Sequence, residues 1–159
     1  MNKAPPDSGT VSNGVATTRW LAENLDAGWL RVVDVRHRAV GPLRFIPGST
    51  KLDATRVLHA DGSSVSGAEL AMAMSEIGVG DEHTIVLVDE GNVAVAHDVA
   101  RVLRRYGHGA TLVLSGGFPR WLLEKRPLAA ATTRHRFASF TARMSEAAPT
   151  PRSSNRRAS

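Results

Sequence analysis

Thr84–Trp121 reads TIVLVDEGNVAVAHDVARVLRRYGHGATLVLSGGFPRW, and this stretch decides the fold. Thr84–Val88 is apolar without alternation, as expected of a strand covered on both faces. A short loop, Asp89-Glu90-Gly91-Asn92, leads to a segment with helical periodicity. It places Val95, Val99, Val102, Leu103 and Tyr106 on one face, and Arg101, Arg104 and Arg105 largely on the other. Gly107 ends this helix, and Thr111–Leu114 reads as a second fully buried strand. Gly116-Gly117 then turns the chain into a helix through Trp121, Leu122 and Leu123. Strands alternating with helices through short loops imply βα units and a parallel sheet. Right-handed crossovers place the functional loops at the carboxyl ends of the strands.

The same alternation extends toward the N-terminus. Thr17 is a good N-cap for a first helix carrying Trp20, Leu21 and Leu25, with Gly28 as its expected end. Leu30–Val35 is rich in β-branched residues and reads as a buried strand. Phe45–Thr50 contains a Pro-Gly turn, and a short strand is expected near Lys51–Leu52. Ser66-Gly-Ala-Glu69 is a capping box opening a helix with Leu70, Ala73, Met74 and Ile77 at helical spacing, stopped by Gly78. The expected fold is α/β: a single domain over residues 14–130, with a parallel sheet of about five strands and helices on both faces.

The remaining segments differ in composition. Residues 1–13 are rich in Pro, Ser and Gly and are expected to be disordered. Residues 145–159 read as a disordered basic tail with almost no large apolar residue. The net charge of +5 comes from this end: residues 1–133 hold 14 Lys+Arg and 14 Asp+Glu, whereas 134–159 hold six Arg and one acid, Glu146. A neutral body with a basic tail argues against specific nucleic-acid binding. No apolar run approaches the roughly 20 residues of a membrane span. The start, MNKAPPDSGT, has no apolar core of a secretory signal. With no cysteine in 159 residues, disulfides, thiolate metal sites and thiol catalysis are all excluded, and the expected compartment is the cytoplasm.

The order of motifs resembles a rhodanese (sulfurtransferase) domain. Thr-x-x-Trp-Leu in the first helix is followed by Asp-Val-Arg at Asp34–Arg36 and Ile-Pro-Gly at Ile46–Gly48. After the central strand come Tyr-Gly-His at Tyr106–His108, Val-Leu-x-Gly-Gly-Phe at Val113–Phe118, Trp121 and Pro127-Leu128. The chain looks most similar to the N-terminal half of tandem thiosulfate or 3-mercaptopyruvate sulfurtransferases. The resemblance implies a position for a persulfide-bearing cysteine directly after the central strand, and here that position is Asp89. In the tandem proteins an Asp there is usual for the N-terminal half, and the other half carries the catalysis. Departures occur at Phe45, where the family usually has His, at Ser115, where it has Asp, and in the short segment between Arg36 and Ile46. Phe137–Arg143 resembles the linker leading to a second half, so the resemblance implies that residues 131–144 are linker-like, and Phe137 and Phe140 are expected to lack a core of their own.

The candidate anion or loop site is therefore Asp89, Glu90, Gly91 and Asn92, with Arg36 at the same sheet edge. The resemblance implies a loop that aims N–H groups and a helix dipole at a sulfur anion. Asp89 is read as a fixed carboxylate occupying that place and capping the helix, and Glu90 as a second negative charge that repels thiosulfate. Asp34 and Arg36 are read as a loop-ordering ion pair. His37, His97 and His108 show no metal-ligand spacing, and neither a metal nor another cofactor is expected. Tyr106-Gly-His108 reads as a helix C-cap with a residue able to carry charge. Ser115-Gly-Gly lacks the Lys-Ser/Thr of a phosphate-binding loop. Trp20 and Trp121 read as core or domain-surface anchors.

Three functions compete on these readings. The first is a non-catalytic binding or remnant domain. The second is a sulfurtransferase subunit completed by a cysteine-bearing rhodanese partner. The third, an enzyme working through acids, lacks a base, a metal or a second carboxylate beside Asp89. Association as a homodimer or with the cysteine-bearing partner is expected.

Overall fold

A computed structural model describes residues 11–12, 14–37, 43–91 and 94–144. Asn92 of the candidate loop, the 145–159 tail and most of the 1–13 segment lie outside the described residues.

The elements alternate as the apolar pattern requires: β1 (Val11–Ser12), β2 (Val15–Ala16), α1 (Thr18–Glu23), β3 (Leu30–Asp34), β4 (Thr50–Lys51), a 3₁₀ turn (Ala54–Arg56), α2 (Gly67–Glu76), β5 (Thr84–Val88), α3 (Val95–Arg105), β6 (Thr111–Leu114) and α4 (Gly117–Leu123). The sheet runs β1-β2-β6-β5-β3-β4. Its strands β2, β6, β5, β3 and β4 are mutually parallel, and only β1 is antiparallel. Neither β1 nor β2 is anticipated by the sequence, because two residues are too few to show a period. Val11 and Ser12, expected to be disordered, instead pair with Ala16 and Val15.

The central strands are buried on both faces and divide their side chains with the twofold period of a strand. Val33, Val35, Ile85 and Leu87 face a core closed by α2 and α3. Val32, Val86, Val88 and Leu114 face the other core, closed by α1 and α4 with Trp20 and Trp121. Both tryptophans are buried, and the Trp121 indole N–H donates to the Pro127 carbonyl at 2.7 Å.

The helix ends follow local chemistry. The Thr17 hydroxyl accepts from Trp20 N, and the Ser66–Glu69 capping box is closed in both directions. The first helix stops before Gly28, with Leu25 beyond its end. Asn24 Nδ2 donates to the Trp20 carbonyl at 2.8 Å, so a side chain satisfies the terminal carbonyl one turn early.

The segment 131–144 is not a free linker. Thr133 N donates to Ser49 O, Ala138 N to Ser75 O, Phe140 N to Ser75 Oγ, and Arg143 N to Tyr106 O. Phe140 is only 5% exposed and belongs to the α2–α3 core, whereas Phe137 is 66% exposed. The expectation that both lack a core fails for Phe140. Its pocket is built by residues distant in sequence, among them His108, on which the ring stacks at 5.2 Å. His108, two residues past the Tyr106 C-cap of α3, donates its backbone N–H back to Leu103 O at 2.9 Å. It is buried, and its Nε2 donates to His83 O at 2.7 Å.

Candidate functional site

The parallel sheet brings the ends of β3, β5 and β6 to one edge, and the candidate residues gather there. Asp34 pairs in register with Val88, so Arg36 and Asp89 emerge side by side from neighbouring strands. Asp89 is 3% exposed. Its Oδ1 accepts from Gly91 N at 2.8 Å, and its Oδ2 accepts from Ala96 N at 3.1 Å. Helix α3 begins after Ala94, which has no capping side chain. Asp89 supplies that cap from the strand end, placing its negative charge where the helix has unsatisfied N–H groups and a favourable dipole.

The loop is seated on the Gly116-Gly117 turn. Phe118 N donates to Asp89 O at 2.9 Å. A Cβ on Gly117, whose φ is 64°, would lie 2.6 Å from both Asp89 O and Gly91 N. A Cβ on Gly91 would lie 2.5 Å from Gly116 O. The glycine pair is thus a requirement of backbone against backbone, with φ in the left-handed region.

Arg36 is engaged on every side. Its Nη2 donates to Asp34 Oδ2 and to Arg44 O, both at 2.8 Å, and its Nε lies within 3.1 Å of both Asp34 oxygens. Its guanidinium carbon sits 3.9 Å from the Phe118 ring centroid and 5.5 Å from that of Phe45. This is a cation held between two aromatic faces. Phe45 and Phe118 are the site residues that the sequence reading missed as such. The Phe45 departure was visible, but only the fold shows that it lies against Arg36. Lys51 Nζ donates to Arg36 O and is 3.8 Å from Asp34 Oδ1. Glu90 Oε2 accepts from His37 N at 3.0 Å, tying the β3 and β5 loops together. At the rim, the Thr55 hydroxyl and then its N–H hold the Asp53 carboxyl below the usual carboxylate range.

Of the candidate residues, Arg36, Asp89, Glu90 and Gly91 are therefore assembled at one edge. Each Asp89 carboxylate oxygen accepts one backbone N–H, and Arg36 is held by Asp34 and Arg44 O. No group of three or more His, Cys, Asp or Glu that could hold a metal occurs among the described residues. No helix among them is long and apolar enough to cross a membrane.

Residues 17–124 match the rhodanese-like domain. The chain belongs to the rhodanese-like family. A thiosulfate sulfurtransferase of Cricetulus griseus is 27% identical over 146 residues, with 80% of this chain and 49% of the relative covered. A sulfur carrier protein of Thermus thermophilus is 27% identical over 117 residues, covering 72% of this chain and 41% of that protein. Among solved structures, the 3-mercaptopyruvate sulfurtransferase SseA of Escherichia coli superposes with a TM-score of 0.73 at 22% identity, over 85% of this chain and 57% of that one. The chain spans about half the length of the curated relatives it matches. The rhodanese-like fold thus carries a loop at the strand edge in which a carboxylate receives the backbone donors.

Proposed function

We propose that this rhodanese-like domain is non-catalytic by itself and acts by binding. The observation that carries this reading is the Asp89 carboxylate accepting the N–H groups of Gly91 and Ala96 in a chain without cysteine. A carboxylate is a hard oxygen anion and cannot accept and pass on sulfane sulfur as a thiolate does. The Gly91 and Ala96 N–H groups that Asp89 takes are then not offered to an anionic substrate, and Glu90 beside it adds repulsion. The test is thiosulfate:cyanide sulfurtransferase activity of the purified chain. The expected result is no turnover above the uncatalysed background. Turnover that disappears on heat denaturation would overturn the proposal.

A second reading is supported by coverage of about half of each curated relative. In it the domain is the non-catalytic subunit of a thiosulfate or 3-mercaptopyruvate sulfurtransferase, completed by a cysteine-bearing rhodanese partner in the cytoplasm. Recovery of such a partner by pull-down, with activity appearing only in the complex, is expected on that reading. Sedimentation over a wide concentration range tests the remaining option, a homodimer. A monomer throughout, with no partner recovered, favours the free-standing domain.

A further inference from the structure

The side of the molecule away from the Asp89 loop holds a second cluster that the proposed function does not use. It lies where 137–143 cross the body. The loop Gly80–His83 anchors this strap at two points: Asp81 N donates to Ser139 O at 3.0 Å, and Asp81 Oδ1 accepts from Thr141 N at 2.7 Å. The body is shaped to receive it. A Cβ on Gly80 would meet Ser139 O at 3.1 Å, one on Gly78 would meet Arg136 O at 2.9 Å, and one on Gly107 would meet Arg143 O at 3.1 Å. Beneath the anchor lies His83, 5% exposed, whose Nδ1 accepts from Gly80 N at 2.9 Å. That bond requires an unprotonated Nδ1 and therefore a neutral ring. The His83 carbonyl accepts from His108, and the His108 ring carries Phe140 of the strap.

We propose that residues 137–143 form a pH-operated strap, latched on the Gly80–His83 loop while His83 is neutral and released when mild acid protonates its Nδ1. Protonation turns the acceptor into a donor facing Gly80 N–H, so the loop that holds Asp81 must move. The surroundings oppose the charge. Burial, first, and then Arg31 push His83 below its ordinary value, with smaller contributions from His135, which precedes the strap, and His108. Glu82 acts in the opposite sense, with its carboxylate 3.6 Å from Nε2, but its side chain is 71% exposed and screened by solvent. A histidine whose folded value is lowered binds fewer protons folded than unfolded. The latched form therefore loses stability as pH falls below about 6.5. Asp81 does not titrate in that window, because the Thr141 N–H holds its carboxyl below the usual range.

Hydrogen exchange corrected for the intrinsic rate tests the latch on the full chain. Between about pH 7.5 and about pH 5.5, protection of the Ala138, Phe140, Thr141 and Arg143 amides should fall on the order of tenfold, while the β5 amides keep theirs. His83→Asn, which keeps an acceptor for Gly80 N–H but cannot titrate, should hold strap protection constant. Equal loss of protection in β5 and strap would mean global unfolding and would overturn the latch. So would unchanged strap protection in the wild type, or acid release persisting in H83N. Should H83N not fold, an NMR titration of the wild type decides. The strap amides must shift with the same midpoint as the His83 ring, and separate midpoints refute the proposal.

Discussion

Phe140→Ala is the sharpest test of whether the strap belongs to the domain. The ring is 5% exposed and packs into the α2–α3 core, stacked on His108 with an interplanar angle of 22°. Burying a phenylalanine side chain contributes about 1.5–3 kcal/mol, and ring stacking adds roughly 0.5–1.5 kcal/mol. Truncation in a core costs about 3–5 kcal/mol, and the lower end applies here because the strap can settle toward the cavity. The expected loss is about 3 kcal/mol, equivalent to a fall in Tm of about 10 °C for a domain of this size. Phe137→Ala, in the same segment but 66% exposed, should stay within about 0.5 kcal/mol of wild type. Urea unfolding read by far-UV circular dichroism gives both values. The m-value must be unchanged for the comparison to report stability alone. An F140A loss below about 1 kcal/mol, or an equal loss in F137A, would refute the assignment of Phe140 to the core.

Asp89→Ala should destabilise the domain by about 2–4 kcal/mol, because Gly91 N and Ala96 N lose their shared acceptor in a buried place; urea titration against the milder Asp89→Asn checks this. Gly117→Ala should cost more than about 3 kcal/mol or prevent folding, since the methyl would lie 2.6 Å from Asp89 O on a left-handed backbone. Gly28→Ala, where a Cβ meets nothing within 4 Å, should be near neutral in the same thermal melt. The Thr18 hydroxyl, then Arg120 and Arg126, lower the Glu124 carboxyl to about 2. Its folded value lies below its unfolded one, so its contribution is present above about pH 4.5 and is lost as pH falls toward about 2. Glu124→Gln should flatten the stability profile in that window, measured by urea midpoints at successive pH values. A chain ending at Met144 should keep the full-length Tm within a few degrees, since 145–159 offer almost no apolar area to bury.

The parallel α/β plan was legible because it rests on local patterns. Thr84–Val88 and Thr111–Leu114 are apolar without a break, and Val95–Arg105 divides into apolar and arginine faces. Ser66–Glu69 and Thr17 mark helix starts through bonds that close within three residues. The missing cysteine and the position of Asp89 were legible for the same reason. What Asp89 touches was not: its Ala96 bond spans seven residues, and the Gly117 contact joins loops from different strands. Arg36 between Phe45 and Phe118, and Phe140 over His108, exist only once the sheet order is set. A helical or strand period records which face of one element is buried. It carries no information on which distant side chain is waiting there. The family resemblance made residues 131–144 linker-like for the same want of information, whereas the tertiary structure gives Phe140 a core.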